Sequence, residues 1–200
     1  MHTSISKEEI EELPLGKFTG EITIVENQED LHVVADELKD EKVIGFDTET
    51  KPAFKKGQRN EVALLQFSTD DRAYLIRLNK TGLTAEILKI LSDPEIKKVG
   101  VGIRDDIKAL QRLKKFNHAG FIELQDFAKD AGLESFSLKK LAALVMNIRV
   151  SKRQRLSNWE ADSFTESQAN YAATDAWAAL QIYSGMNRLF PELYVESLTF

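Results

Sequence analysis

The chain has 200 residues, of which 42% are hydrophobic and 30% charged, and these proportions are typical of one globular domain with a full core. The absence of cysteine excludes disulfides and thiolate metal sites, so any metal must be held by oxygen ligands or by one of three histidines. The net charge of −5 excludes a global basic field that would attract polyanions. The N-terminus shows neither a signal-peptide core nor a membrane-length apolar run, so a cytoplasmic location is the default expectation.

Hydrophobic periodicity predicts alternating strands and helices along the chain. Residues 1–20 are mostly polar and predict a lead-in before a single domain over 21–200. Strands are predicted at 21–25, 43–48, 61–68, 73–76, 97–101 and 120–124. Helices are predicted at 28–39, 84–92, 104–115, 125–131 and 137–146, with a last helix that a capping box opens at 165 and that runs to 188. This pattern favours an α/β domain with a mixed sheet of about five strands flanked by helices.

The first candidate site is the stretch 43–50, which begins as an apolar, strand-like run and ends with two carboxylates, Asp47 and Glu49. Residues two apart on a strand point to the same face, so these carboxylates converge. Two like charges this close raise each other's pKa unless a cation compensates, and carboxylate oxygens suit Mg²⁺ or Mn²⁺. The alternative is that both acids lie at a solvated strand end or cap a helix.

Two helices supply further candidates. Asp106 shares a helical face with Leu110 and is predicted to point toward the sheet, whereas its neighbour Asp105 points outward. Tyr171 and Asp175 are four residues apart and therefore share one face of the last helix. The alternative for Asp105 and Asp106 is that both are ordinary acids in the first turn of a helix. The alternative for Tyr171 and Asp175 is a simple hydrogen bond between the two side chains.

Taken together, these residues predict a catalytic site at one end of the sheet. Its acids are Asp47, Glu49, Asp106 and Asp175, beside Tyr171. Two divalent cations held by such acids form the clamp used in phosphoryl chemistry, in which one activates the attacking water and the other stabilises the leaving oxygen. A phenol with an ordinary pKa of about 10 is a poor base at neutral pH, so Tyr171 is predicted to orient the water by hydrogen bonding.

The order of these motifs resembles the DEDDy branch of the 3′–5′ exonucleases, which have an RNase H-like fold. The stretches 46–50 (FDTET), 100–110 and 171–175 (YAATD) are similar to the first, second and third motifs of that family. The stretch 156–159 (LSNW), with the pattern that follows it, resembles the Werner syndrome exonuclease-like group, and ribonuclease D is a more distant likeness. The histidine branch requires a histidine five residues before the last Asp, where this chain has Asn170.

The resemblance implies roles for these residues and a class of substrate. Asp47, Glu49 and Asp175 would hold the metal that carries the nucleophile, Asp47 would bridge to a second metal, and Asp106 would bind through water. The implied cofactors are two divalent ions, Mg²⁺ or Mn²⁺. The implied partner is nucleic acid, with DNA favoured and RNA as the second choice, at a single-stranded 3′ end or a recessed 3′ end of a duplex. The products would be nucleoside 5′-monophosphates, and no membrane partner is expected.

Substrate contacts are predicted around these acids. The candidates are Thr48, Gln66, Lys152, Arg153, Arg155 and Trp159. Gln66 would border the terminal nucleotide, the basic cluster 152–155 would hold phosphates, and Trp159 would stack a base. The alternatives are a solvated loop for the basic cluster and packing of the loop onto the core for Trp159.

Two other functions are also considered. One is a non-catalytic nucleic-acid-binding domain on the same fold, and the complete set of four acids and one tyrosine argues against it. The other is a two-metal phosphoesterase of small oligonucleotides, which agrees with the acidic net charge of −5. Comparison of long and very short substrates distinguishes this second function from a strand-degrading exonuclease.

Overall fold

The structure is a computed structural model that describes residues 2–193 except 54, 56 and 58. Its centre is a six-stranded sheet in the order β1-β4-β3-β2-β5-β6. The strands are β1 (Glu21–Val25), β2 (Val43–Thr50), β3 (Val62–Ser68), β4 (Arg72–Arg77), β5 (Lys97–Gly100) and β6 (Phe121–Glu123). The mixed α/β sheet is confirmed, and all six individually predicted strands are present, one more than the sheet of about five strands that was expected. The last residues of the predicted domain, 194–200, lie outside the described residues.

Strand pairing in the sheet is antiparallel in the centre and parallel on both sides. Strands β2, β3 and β4 form an antiparallel meander. Strand β1 pairs in parallel with β4, and β5 pairs in parallel with both β2 and β6. Every residue of β3 is buried, in agreement with its mostly apolar sequence. Within the described part of the chain, no helix has the length and hydrophobicity needed to cross a bilayer.

Eight helices are found among the described residues, and the last of them begins with the cap that the sequence predicts. They are α1 (Lys7–Glu12), α2 (Gln28–Leu38), α3 (Leu78–Thr81), α4 (Ala85–Ser92), α5 (Arg104–Leu113), α6 (Leu124–Asp130), α7 (Leu138–Met146) and α8 (Glu166–Leu189). The predicted capping box of α8 is confirmed, because the Thr165 side chain accepts from the N–H of Gln168 and the Gln168 side chain accepts from the N–H of Thr165.

Helix α8 packs unusually close to the sheet at one glycine. A side chain added at Gly45 of β2 would place its Cβ 2.0 Å from the carbonyl oxygen of Ala176. Only glycine permits this approach. The small residues Ala172, Ala173 and Ala176 are all buried on the same stretch of α8. The close contact sets Asp175 beside the carboxyl end of β2.

The predicted lead-in packs against the domain. Ile10 and Phe18 are each only 2% exposed, and Leu15 forms an isolated bridge with Arg149. The backbone N–H of Phe18 donates to the hydroxyl of Thr174 at 3.0 Å. This bond ties the segment before β1 to the same turn of α8 that carries Asp175.

We expect Thr174→Val to lower the free energy of unfolding by about 1–3 kcal/mol, because valine keeps the shape but leaves the buried Phe18 N–H unpaired. Urea denaturation followed by circular dichroism measures the change. The matched control is Thr23→Val on the edge strand β1, where we expect a change within about 0.5 kcal/mol. Equal stability of wild type and Thr174→Val would mean that this hydrogen bond does not hold the lead-in.

Candidate active site

A cleft opens where β2 ends under helix α8. Four of the predicted catalytic residues line it: Asp47, Glu49, Tyr171 and Asp175. Strand alternation places Asp47 and Glu49 on one face, and the close approach of α8 brings Asp175 and Tyr171 to that face. Residues 47, 49 and 171 are partly buried, whereas Asp175 is 7% exposed. The convergence predicted from the motif spacing is therefore present.

Asp106 lies at the edge of this cleft rather than inside it. It faces an adjoining cleft that is also lined by Thr50, Lys51 and Arg112. The Thr48 hydroxyl donates a hydrogen bond to Asp106 Oδ1, which ties the first turn of α5 to β2. The Asp105 side chain is 97% exposed, so the prediction that Asp106 and not Asp105 points toward the sheet is confirmed.

Burial destabilises the charged forms of all four acids, and neighbouring carboxylates add to this effect at Asp47, Glu49 and Asp106. Burial raises the pKa of Asp47 well above its ordinary value, and the charges of the other three carboxylates raise it further. Burial likewise raises the pKa of Glu49 to about 9, that of Asp106 to about 6 and that of Asp175 to about 7. The charges of Arg155 and Lys152 lower the pKa of Glu49 and of Asp175, respectively, but do not offset burial. Such a cluster is relieved by a bound cation.

Tyr171 is held against Asp175. Its hydroxyl donates a hydrogen bond to the Asp175 carboxylate one helical turn away, and this bond lowers the pKa of Asp175. Burial, together with the charges of Asp175 and Glu49, raises the pKa of the Tyr171 phenol above its ordinary value. The phenol is therefore a hydrogen-bond donor at neutral pH and not a base.

The donor set fits a hard divalent cation. It consists of carboxylate oxygens, the ligands that Mg²⁺ and Mn²⁺ prefer, and the site contains no thiolate or imidazole. Among the residues that the structure describes, no three acidic or histidine side chains are already arranged around a single point as metal ligands. The fit therefore rests on the chemistry of these carboxylates and on the cost of burying their charges without a cation.

The basic cluster and Thr48 take different positions at the cleft. Lys152 and Arg155 are exposed and line the cleft together with the acids. Arg153 is also exposed, but it is not among the residues that line the cleft. Thr48 lines the cleft, although its hydroxyl is engaged with Asp106.

Two predicted substrate contacts do not fit the structure. The side chains of Gln66 and Trp159 are both fully buried, at 0% exposure, so neither reaches a nucleotide in the cleft. The Trp159 ring packs edge-on against Phe164 at 5.5 Å between centroids and lies 6.0 Å from the Tyr171 ring. The prediction that Trp159 stacks a base is wrong, and the alternative, packing of the loop onto the core, is correct.

Two further basic residues were not predicted, one that lines the cleft and one that anchors the loop carrying Trp159. Lys139, in the first turn of α7, lines the cleft and forms an ion pair with Glu11 at 2.7 Å. Arg77, at the end of β4, is fully buried, donates to the Asp162 carbonyl at 2.8 Å and lies over the Phe164 ring at 4.4 Å. Arg77 thus anchors the loop that carries Trp159. No sequence signal identified either residue, since a lysine on an amphipathic helix and an arginine at a strand end are ordinarily solvated.

Comparisons with known proteins agree on one family. The 3′–5′ exonuclease family profile matches residues 22–190. The bifunctional 3′–5′ exonuclease/ATP-dependent helicase WRN of Mus musculus is 34% identical over 187 residues, which are 88% of this chain and 13% of that protein. The chain therefore spans a small part of this relative's length.

Solved structures show the same fold. The Nibbler EXO domain of Aedes aegypti superposes with a TM-score of 0.78 at 22% identity, covering 88% of this chain and 91% of that one. Escherichia coli RNase D, described as an exoribonuclease involved in structured RNA processing, has a TM-score of 0.77 at 20% identity, covering 86% and 45% of the two chains.

Proposed function

The chain belongs to the 3′–5′ exonuclease family, and we propose that it removes nucleoside 5′-monophosphates from the 3′ end of nucleic-acid strands in a metal-dependent reaction. Exonucleases of this family generally use divalent metal ions. The observation that carries the proposal is the convergence of Asp47, Glu49, Tyr171 and Asp175 in one cleft, with Asp106 at its edge. DNA is the favoured substrate, and RNA is the second choice.

Two ions, Mg²⁺ or Mn²⁺, are the proposed cofactors. When bound, they would lower the pKa of the attacking water and neutralise charge on the leaving oxygen. Asp47, Glu49 and Asp175 would hold them from within the cleft, and Asp106 would act from its edge through water. The raised pKa values of these acids support this assignment, because four neighbouring carboxylates without a cation are partly protonated near neutral pH.

The remaining side chains orient the reactants. Tyr171, protonated at neutral pH and adjacent to Asp175, would position the attacking water by hydrogen bonding. Lys152 and Arg155 would hold phosphate oxygens of the strand as it enters the cleft. Lys139, which lines the same cleft, is a further candidate for a phosphate contact.

We expect Tyr171→Phe to lower kcat by about 10²-fold while leaving Mn²⁺ affinity nearly unchanged, because it removes a positioning hydroxyl and no carboxylate. Single-turnover degradation measures the rate, and isothermal titration measures the affinity. Tyr183→Phe, three turns further along α8, is the matched control and should leave kcat unchanged. A Tyr171→Phe enzyme with the wild-type rate would remove the phenol from the mechanism.

The experiment that tests the proposal compares degradation of three 5′-labelled substrates. These are single-stranded DNA, a DNA duplex with a recessed 3′ end, and RNA of matching sequence, each with Mg²⁺, Mn²⁺ or EDTA. We expect a ladder of bands that shortens from the 3′ end in either metal and is absent in EDTA. The substrate that is degraded fastest decides between DNA and RNA.

The same assay separates the two other functions. Retardation of strands in a gel without any cleavage in either metal would support a non-catalytic binding domain. Rapid hydrolysis of dinucleotides with no shortening of long strands would support a phosphoesterase of small oligonucleotides. Either result would contradict the proposed exonuclease.

A further inference from the structure

Gln66 lies beside Asp47 of the acidic cluster, on the neighbouring strand β3. It is paired with Asp47 across the antiparallel ladder of β3 and β2. Side chains that are directly opposite in such a ladder share a face, with Cβ atoms about 4.5–5.5 Å apart. The Gln66 amide therefore projects on the same side of the sheet as the Asp47 carboxylate and beside it.

The Gln66 amide has no partner of its own in the fold. The side chain is fully buried, and neither Nε2 nor Oε1 makes a hydrogen bond to any described residue. A buried amide without partners is unfavourable for folding. Its neighbours on the same face of the sheet, Leu64 on β3 and Leu75 on β4, are fully buried and apolar. Packing alone would therefore be served by a hydrophobic residue at position 66.

The Asp47 carboxylate can accept further hydrogen bonds. In the structure its Oδ1 accepts from the backbone N–H of Thr48 at 2.9 Å. An ionised carboxylate has about four acceptor positions, so one bond leaves capacity for a second donor. The amide nitrogen of Gln66 is a neutral donor that can supply this bond without adding a charge to the cluster.

We propose that Gln66 is a positioning residue that donates a hydrogen bond to the ionised Asp47 carboxylate and orients it for metal binding. This inference rests on the proposed function, because orientation of Asp47 matters only if that carboxylate binds metal. Groups behind a metal ligand fix its direction, and their removal typically weakens metal affinity by about 10–100-fold. Position 66 would then carry an amide because of its role in metal binding, although the unpaired buried amide lowers the stability of the fold.

The test is Gln66→Met, which keeps the length of the side chain and removes its polar atoms. Mn²⁺ affinity is measured by isothermal titration on the full chain, thermal unfolding is measured without metal, and kcat and KM are measured on a labelled strand. We expect about tenfold weaker Mn²⁺ binding, a lower kcat with little change in KM, and a metal-free melting temperature equal to or above that of wild type. Gln66→Leu repeats the test with a second apolar side chain.

The matched control is Leu64→Met, at a buried position two residues away on the same face of β3. It should leave Mn²⁺ affinity unchanged. Wild-type Mn²⁺ affinity in both Gln66 variants, or a lower melting temperature as their sole defect, would overturn the inference while leaving the exonuclease proposal intact. A wild-type protein that neither binds Mn²⁺ nor degrades strands would overturn both.

Discussion

Replacing Asp47 or Asp175 by asparagine is expected to abolish strand degradation while the protein stays folded. Each substitution keeps the side-chain shape and removes one charged ligand from the acidic cluster. Without this ligand, the metal should lose several kcal/mol of transition-state stabilisation, which lowers the rate by about 10³-fold or more. Removal of a like charge also relieves repulsion, so the metal-free variants should unfold at the same temperature as wild type or higher.

The matched control for these substitutions is Asp105→Asn. Asp105 adjoins Asp106 in the sequence, but its side chain is 97% exposed, so this variant should retain full activity. Asp106→Asn, in contrast, should slow the reaction. Rates are compared on one labelled strand with enzyme in excess. Full activity of Asp47→Asn or Asp175→Asn would contradict the assignment of these residues as metal ligands.

Stability without metal is expected to fall as the pH rises from 5 to 8. The folded-state pKa values of Glu49, Asp106 and Asp175 are raised to about 9, 6 and 7, whereas unfolded carboxyl groups titrate near about 4. At a pH between the unfolded-state pKa and the folded-state pKa of each group, the folded protein binds more protons than the unfolded chain. The free energy of unfolding therefore decreases as the pH rises through this range. The stabilisation is complete below about pH 4 and is lost as each folded-state pKa is passed.

A divalent metal should reverse this trend. Metal binds the deprotonated carboxylates of the folded protein, so the stabilisation by Mn²⁺ should be larger at pH 8 than at pH 5. Urea unfolding at several pH values, with and without Mn²⁺, measures both effects. Asp47→Asn should flatten the metal-free profile and reduce the Mn²⁺ effect. Stability that rises with pH in the metal-free wild type would contradict the raised pKa values of the cluster.

Most of the fold was predictable because its signals are local. The capping box at Thr165 and the apolar runs of β2 and β3 are each signals within a few residues, and the corresponding elements are present. Helix α3 (Leu78–Thr81) was missed because four residues are too few to show helical periodicity. Strand β2 runs two residues past its predicted end, to Thr50, with a register shift after Glu49 that spacing alone does not reveal.

In the candidate site, too, the features set by local periodicity were predicted correctly, and those set by tertiary packing were not. The acids on β2 and the pair Tyr171 and Asp175 converge because strand and helix periodicity fix their faces locally. The burial of Gln66 and Trp159 depends on how α8 and the loop before it cover the sheet, so both were taken for surface contacts. Polar residues inside a protein are exceptions to the usual distribution, and tertiary packing decides where they occur.

The most direct test of the central claim, that the four acids form a divalent-metal site, is the location of Mn²⁺ by anomalous diffraction from crystals soaked in the metal. We expect anomalous density in the cleft between β2 and α8, in contact with Asp47 and Asp175, and its loss in Asp47→Asn. Ordered Mn²⁺ only at other sites, or none at concentrations that support strand degradation, would contradict the claim.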